Sequence, residues 1–237
     1  MERRKGKTPL LTLFILFILN SSRTHKFSYY ASSGTFTTEH TSSLLHEKMV
    51  STLSDGFTLP RSRLPPNVKS KVSVVRNLKS FDFSGAYLGS EKVPDLAFLV
   101  TNDKGLPEVR FVVEVGFSET YNSLMVNAKL WLEGTETVSL VLLAKLEETP
   151  TYKCPIKDLS DEEFAELAFP DLAEIRNEPF TISSPSGPAI YKDLVWMGKI
   201  SGFLEPWKID PLTKSATPGS RIVSHSLRNV RYSSLPI

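Results

Sequence analysis

The sequence predicts an α/β fold: a mixed sheet flanked by helices, followed by a C-terminal extension. Three stretches predict it. Pro94–Gly116, PDLAFLVTNDKGLPEVRFVVEVG, reads as two strands about a tight loop. Tyr121–Leu132 carries the strongest helical periodicity in the chain. Val138–Ala144, VSLVLLA, is a continuous apolar run that suits a strand covered on both faces. With a helix and a further strand ahead of them, the order is helix, three strands, helix, strand.

Composition bounds the rest. The 237 residues fit one domain with extensions, or two small ones. A hydrophobic content of 41% supports an ordinary core, and a single cysteine, Cys154, excludes an internal disulfide. Residues 1–30 hold six bases and one acid, against a net charge of +2 for the whole chain. The remainder is therefore slightly acidic, which excludes a globally basic nucleic-acid binder.

Residues 1–22 have a signal-like layout: a basic start, then the apolar run Pro9–Leu19. That run is shorter than the ~20 residues of a membrane span, and no stable span is expected elsewhere. A wrong start choice gives the same pattern, and with one cysteine the chain does not look adapted to secretion. Both readings stand: secreted if the segment is a true signal, otherwise intracellular. Residues 23–41, rich in Ser and Thr, read as a flexible linker.

The core is expected over 42–147. Ser42–Leu53 carries Leu44, Leu45, Met49 and Leu53 at helical spacing, after candidate N-caps at Thr41–Ser43. Asp55–Pro66, broken by Gly56, Pro60, Pro65 and Pro66, reads as loop. Arg61, Arg63, Lys69, Lys71, Arg76 and Lys79 make the next stretch basic, either a solvated loop or a means of holding phosphates. Phe81–Leu88 alternates apolar and polar residues and reads as the first strand. Leu96–Val100 and Arg110–Val115 are the next two, joined by the turn formers Asn102, Asp103 and Gly105. Gly116 ends the second of these, and Ser118 is the expected N-cap of the following helix. Tyr121, Leu124, Met125, Ala128, Trp131 and Leu132 form its core stripe, with Lys129 on the flank and Gly134 as its stop.

Asp95 starts one hairpin strand and Glu114 lies near the end of the other. In an antiparallel pair those ends are neighbours, which brings together two carboxylates, the hard oxygen donors a divalent cation needs. Taken singly, each is equally readable as an ordinary strand-end acid, and Glu47 as a solvated helix acid. Val112, Glu114 and Gly116 share one face because side chains alternate.

The layout resembles the core of the restriction-endonuclease-like superfamily, the PD-(D/E)xK nucleases. More closely, GSEKVPD, VVEVGFSE and LMVNAKLWLEG are similar to fungal proteins carrying a divergent nuclease-like domain of this type. The resemblance covers roughly 44–146. It implies that Asp95 and Glu114 hold the metal, with Glu47 matching the acid some members carry on the first helix. It implies Mg²⁺ as the cofactor of an active site, phosphodiester hydrolysis as the activity and nucleic acid as the partner, with no small-molecule cofactor. The family lysine belongs two residues after the second acid, where this chain has Gly116. Some members carry it on the following helix, and Lys129 is the candidate here. Lys129 lies ~16 Å along that helix from Ser118 at 1.5 Å per residue, so reaching the acids requires the helix to fold back across the sheet. The alternative is a nuclease-fold module that binds nucleic acid or protein without cleaving.

Residues 148–209 read as an extension packing on the core. Ser160 and Glu163 form a capping box for a helix over Asp161–Ala168. The many acids of Lys153–Glu178 read as a solvated face. Leu194–Trp207 reads as one or two strands interrupted by Gly198 and Gly202, with Trp196, Phe203 and Trp207 in the core. Residues 210–237 read as mostly disordered. Cys154 with His25, His40, His46 and His225 does not make a zinc pattern. The chain has no Gly-x-Ser-x-Gly elbow or phosphate-binding glycine loop.

Overall fold

A computed structural model describes residues 26–39, 44–76, 78–79, 83–169, 181–182 and 187–224. The apolar segment of residues 1–22 lies outside them, as do 225–237. None of the described helices is long and apolar enough to cross a membrane.

The chain opens with a hairpin, β1 (Lys26–Tyr30) and β2 (Thr35–Glu39). The linker expectation for 23–41 thus meets a folded element. Its aromatic and threonine residues are strand formers, and Gly34 closes the turn at φ +63°. Helix α1 (Leu44–Ser62) follows and ends nine residues past Leu53, where the predicted stripe stops. Gly56 and Pro60 do not break it. Pro60 sits in the last turn, where the missing N–H costs one bond. Phe57 extends the apolar phase of Leu45, Met49 and Leu53. Its ring meets Phe98 and Phe111 edge-on at 4.8 and 5.3 Å, and that contact outweighs local propensity.

After a single turn at Pro66–Lys69 come β3 (Val72–Val75), β4 (Glu91–Lys92), β5 (Leu96–Thr101), β6 (Pro107–Gly116), helix α2 (Tyr121–Gly134) and β7 (Leu140–Thr149). The first described strand of the main sheet is Val72–Val75; of the expected strand Phe81–Leu88, Gly85–Tyr87 is a 3₁₀ turn and Phe81 and Asp82 lie outside the described residues. The four-residue run VSVV pairs with β5 from Val72↔Val100 to Val75↔Ala97. The β5–β6 turn is built by Asn102, whose Oδ1 accepts from Lys104 N and Leu106 N at 2.9 and 3.0 Å. Helix α2 is capped by Thr120, which accepts from Ser123 N at 3.2 Å, two residues beyond the expected Ser118.

The last third adds α3 (Asp161–Glu166), β8 (Thr181–Ile182), β9 (Ala189–Tyr191), β10 (Leu194–Met197), β11 (Lys199–Ile209), β12 (Ala216–Pro218) and β13 (Ile222–Ser224). The capping box at Ser160–Glu163 is present. β8, β9 and β10 make a small separate sheet. β11 runs antiparallel to β7 without a break at Gly202, where a Cβ would lie 2.6 Å from Lys145 O. Glycine here serves close strand approach, not interruption.

The main sheet has the order β12-β11-β7-β6-β5-β3, with β13 also on β11. β6 and β7 are parallel and the other pairs antiparallel, so the sheet is mixed and the fold is α/β. Side-chain alternation sends Val112, Val141 and Leu143 toward α2 with Leu124 and Trp131, and Val113, Val115, Ala144 and Leu146 toward α1 with Met49 and Val50.

Residues 210–224 are ordered, against the expectation of disorder: β12 and β13 pair with β11, Ala216 N donates to Glu133 Oε1 at 2.9 Å, and Arg221 is held by a buried carboxylate. Glu205, 4% exposed, accepts from Tyr121 Oη (2.5 Å), Trp207 Nε1 (2.8 Å) and Arg221 Nε (3.0 Å). The Arg221 guanidinium also lies 3.7 Å from the Phe203 ring centroid. Burial pushes the Glu205 carboxyl up, but these three donors and the Arg221 charge outweigh it and hold the pKa below the ordinary value. The contribution of such a depressed carboxyl is fully present above its unfolded pKa and lost as pH falls through its folded one. Glu205→Gln is therefore expected to cost about 1–3 kcal/mol at neutral pH and to flatten the acid limb of the stability profile, read by urea unfolding across pH.

Candidate functional site

The site is built where β5 begins and β6 ends. The ladder closes with Leu96↔Val113, so Asp95 and Glu114 occupy the next positions of the two strands. Buried Pro94 presets the entry to β5. Asp95 Oδ2 then accepts from Val115 N at 2.6 Å, tying the start of one strand to the end of the other. Its Oδ1 lies 3.2 Å from His46 Nε2 on α1. The opposite ring nitrogen of His46 is 3.5 Å from Glu47 Oε1, a half-exposed carboxylate at 51%.

Glu114 points the other way. Its side chain is 2% exposed, beneath α2. Trp131 Nε1 donates to Oε1 at 2.7 Å, and Lys92 Nζ lies 3.5 Å from Oε2, its own side chain 3% exposed. The indole is a donor only, so it fixes one carboxylate oxygen, while the ammonium balances the charge. The two acids therefore straddle the end of the sheet. Asp95 is tied to the α1 layer and Glu114 to the α2 layer, rather than both projecting from one face.

A second set of polar groups surrounds the Glu114 side. Asn127 is fully buried. Its Nδ2 donates to Glu119 Oε1 at 3.2 Å, and its Oδ1 accepts from the Tyr30 hydroxyl. Burial pushes the Tyr30 phenol up, Glu114 and Glu119 add to that, and Lys92 opposes it. Lys145 is the parallel register partner of Gly116. Its ammonium donates to Phe117 O at 2.8 Å and to Leu146 O at 2.9 Å. Burial lowers its pKa, partly offset by Glu147 and Glu119.

The expected residues divide accordingly. Asp95 and Glu114 lie at adjoining strand ends. Glu47 reaches the site only through His46 in the described contacts. Lys129 is exposed, between buried Ala128 and Leu130, and the cation beside Glu114 is Lys92. The space beside Gly116 is not empty. A Cβ there would lie 2.7 Å from Leu124 Cδ1, so α2 has already closed onto it. The basic stretch also divides. Lys71 O accepts from Thr101 N, at the end of β5 away from Asp95, while Lys79 pairs with Glu91 at 3.6 Å. Among the described residues, no three His, Cys, Asp or Glu side chains gather at ion-holding distance.

Sequence reasoning does not single out His46, Lys92, Asn127, Tyr30 or Lys145 as site residues. Lys92 carries no signal of its burial: between Glu91 and Val93 it reads as an ordinary surface charge.

Breaking a buried pair leaves a charge uncompensated, whereas replacing both members need not destabilise. Lys92→Met is expected to cost about 3–5 kcal/mol. Lys92→Met with Glu114→Leu should recover most of that loss, in a double-mutant cycle read by denaturant midpoints.

Comparison with protein-family models, with curated proteins and with solved structures gives no match.

Proposed function

We propose that the chain is a divergent metal-dependent nuclease of the PD-(D/E)xK type, hydrolysing phosphodiesters, or a close descendant of one. One observation carries this reading: acids at two adjoining strand ends, with a buried lysine on one of them. Ion pairs buried this deeply seldom stabilise a fold better than apolar side chains of similar size. Ionisable groups held in such surroundings cluster at working sites. The order helix, three strands, helix, strand around the acids also fits the resemblance, although β4 belongs to a different sheet.

Asp95 and Glu114 are hard oxygen donors and suit Mg²⁺. Bound there, the ion would supply Lewis acidity and an activated water. The remaining roles belong to the chain itself. Trp131 holds Glu114 by one oxygen, leaving the oxygen that faces Lys92 as the exchangeable one. Val115 N and His46 orient Asp95. Lys92, in place of Lys129, is the ammonium available to negative charge on a phosphate.

A second reading has its own support. Protein donors already engage the oxygens of both acids, and that favours a module that binds nucleic acid or protein without cleaving. Incubation with circular duplex DNA, single-stranded DNA and RNA, with Mg²⁺, Mn²⁺ or chelator, separates the two. The nuclease reading expects chelator-sensitive cleavage that falls about 100-fold or more in Asp95→Asn. Cleavage that survives Asp95→Asn comes from elsewhere, and binding without cleavage supports the second reading.

A further inference from the structure

We propose that the β1–β2 hairpin is a gate over the Lys92–Glu114 half of the candidate site, latched by Tyr30 on Asn127. As a gate on catalysis it rests on the nuclease reading, but its opening does not.

The site needs a cover that moves. Glu114, Lys92 and Trp131 are 2%, 3% and 1% exposed, so a divalent ion or a phosphodiester reaches Glu114 only after something lifts. The main sheet and α2 are closed by long ladders and the central core, and they open at the cost of global unfolding. The hairpin is held differently. Among the described residues it joins no strand of the main sheet. It pairs with the two-residue β4, through Ser28↔Lys92 and Tyr29↔Glu91.

Alternation makes that short pairing specific. Ser28 and Lys92 are opposite each other and both buried, so they share the inward face. Tyr30, two residues on, falls on the same face. Its ring packs on the cluster containing Phe83, Leu124 and Trp131, and its hydroxyl donates to Asn127. That hydroxyl lies in the fields of Lys92, Glu114 and Glu119. One further contact holds the turn, Ala31 N to Ser90 Oγ at 3.1 Å. Thr35, Phe36 and Thr37 of the outer strand are exposed. Among the described residues, the attachment includes two register pairs to the strand that carries Lys92, one aromatic ring and two polar contacts. Lifting β1 removes Ser28 from opposite Lys92 and uncovers the ammonium and carboxylate together.

Hydrogen exchange reads the opening without reference to activity. The indole N–H of Trp131, bonded to Glu114, reports on the site. That of Trp207, bonded to Glu205, is the internal control. In ¹⁵N NMR of the full chain, the Trp131 indole and the Tyr29 and Tyr30 amides are expected to exchange faster than the Val112 and Leu143 amides. Tyr30→Phe should speed Trp131 exchange about two- to tenfold, the worth of one hydrogen bond, and leave Trp207 unchanged. A covalent lock gives the opposite sign. A Cβ at Gly89 would lie 3.7 Å from Ala31 Cβ, within disulfide range. Oxidised A31C/G89C, in a C154S background, should slow Trp131 exchange relative to its own reduced form. Because Gly89 has φ +82°, only those two redox forms are compared. Trp131 and Trp207 exchanging together at the global rate, or indifference to Tyr30→Phe, overturns the gate. Intact opening without any cleavage overturns the nuclease reading alone. Undiminished cleavage by the locked protein overturns the gate alone.

Discussion

A buried ammonium faces a buried carboxylate at the end of the central sheet, and much of the architecture around the site depends on keeping that pair satisfied. Lys92 and Glu114 come from different sheets. Desolvating each charge costs several kcal/mol, and their attraction offsets this only with good geometry and further hydrogen bonds. Trp131 provides one such bond from α2. The demand explains why β4 is held against the core although it is only two residues long, and why β1 lies along it. Lysine at 92 and glutamate at 114 thus couple the small N-terminal sheet to the main one.

The second constraint is the closure of the β5–β6 ladder. Asp95 accepts the Val115 amide in the place where another strand residue would have continued the pairing. Its remaining oxygen faces His46, so α1 is oriented against the sheet by the same side chain. One acid therefore docks the α1 layer and the other the α2 layer, and both docking points coincide with the candidate chemistry. Gly116 belongs to the same economy of space. Leu124 occupies the volume a side chain there would need, which brings α2 and its tryptophan within reach of Glu114.

The parts legible in the sequence are those where local and tertiary preferences agree. The β5–β6 hairpin has turn residues, alternation and apolar strands, α2 has helical periodicity and β7 an unbroken apolar run. Asp95 and Glu114 follow from that register. The illegible parts are those where a tertiary contact overrides a local signal. Gly56 and Pro60 mark a loop, yet Phe57 between Phe98 and Phe111 keeps the helix intact. Ser/Thr-rich 26–39 looks like a linker, and only Tyr30 reaching Asn127, 97 residues away, shows why it folds. Residues 210–224 lack periodicity because pairing on β11 and Arg221 on Glu205 hold them rather than a buried apolar stripe. Lys92 escaped for the same reason. A charged residue before a proline reads as surface, and its partner is a strand apart.

The central claim is that Asp95 and Glu114 act on one ligand across the end of the sheet, and paramagnetic relaxation by Mn²⁺ tests it most directly. The Val115 amide is bonded to Asp95 and the Trp131 indole to Glu114, so each carboxylate carries its own NMR reporter. Titration of substoichiometric Mn²⁺ into the ¹⁵N-labelled chain is predicted to broaden both resonances together and selectively, while Thr101 and Trp207 stay sharp. Broadening confined to the acidic Asp158–Glu166 stretch, or of one reporter without the other, would contradict it.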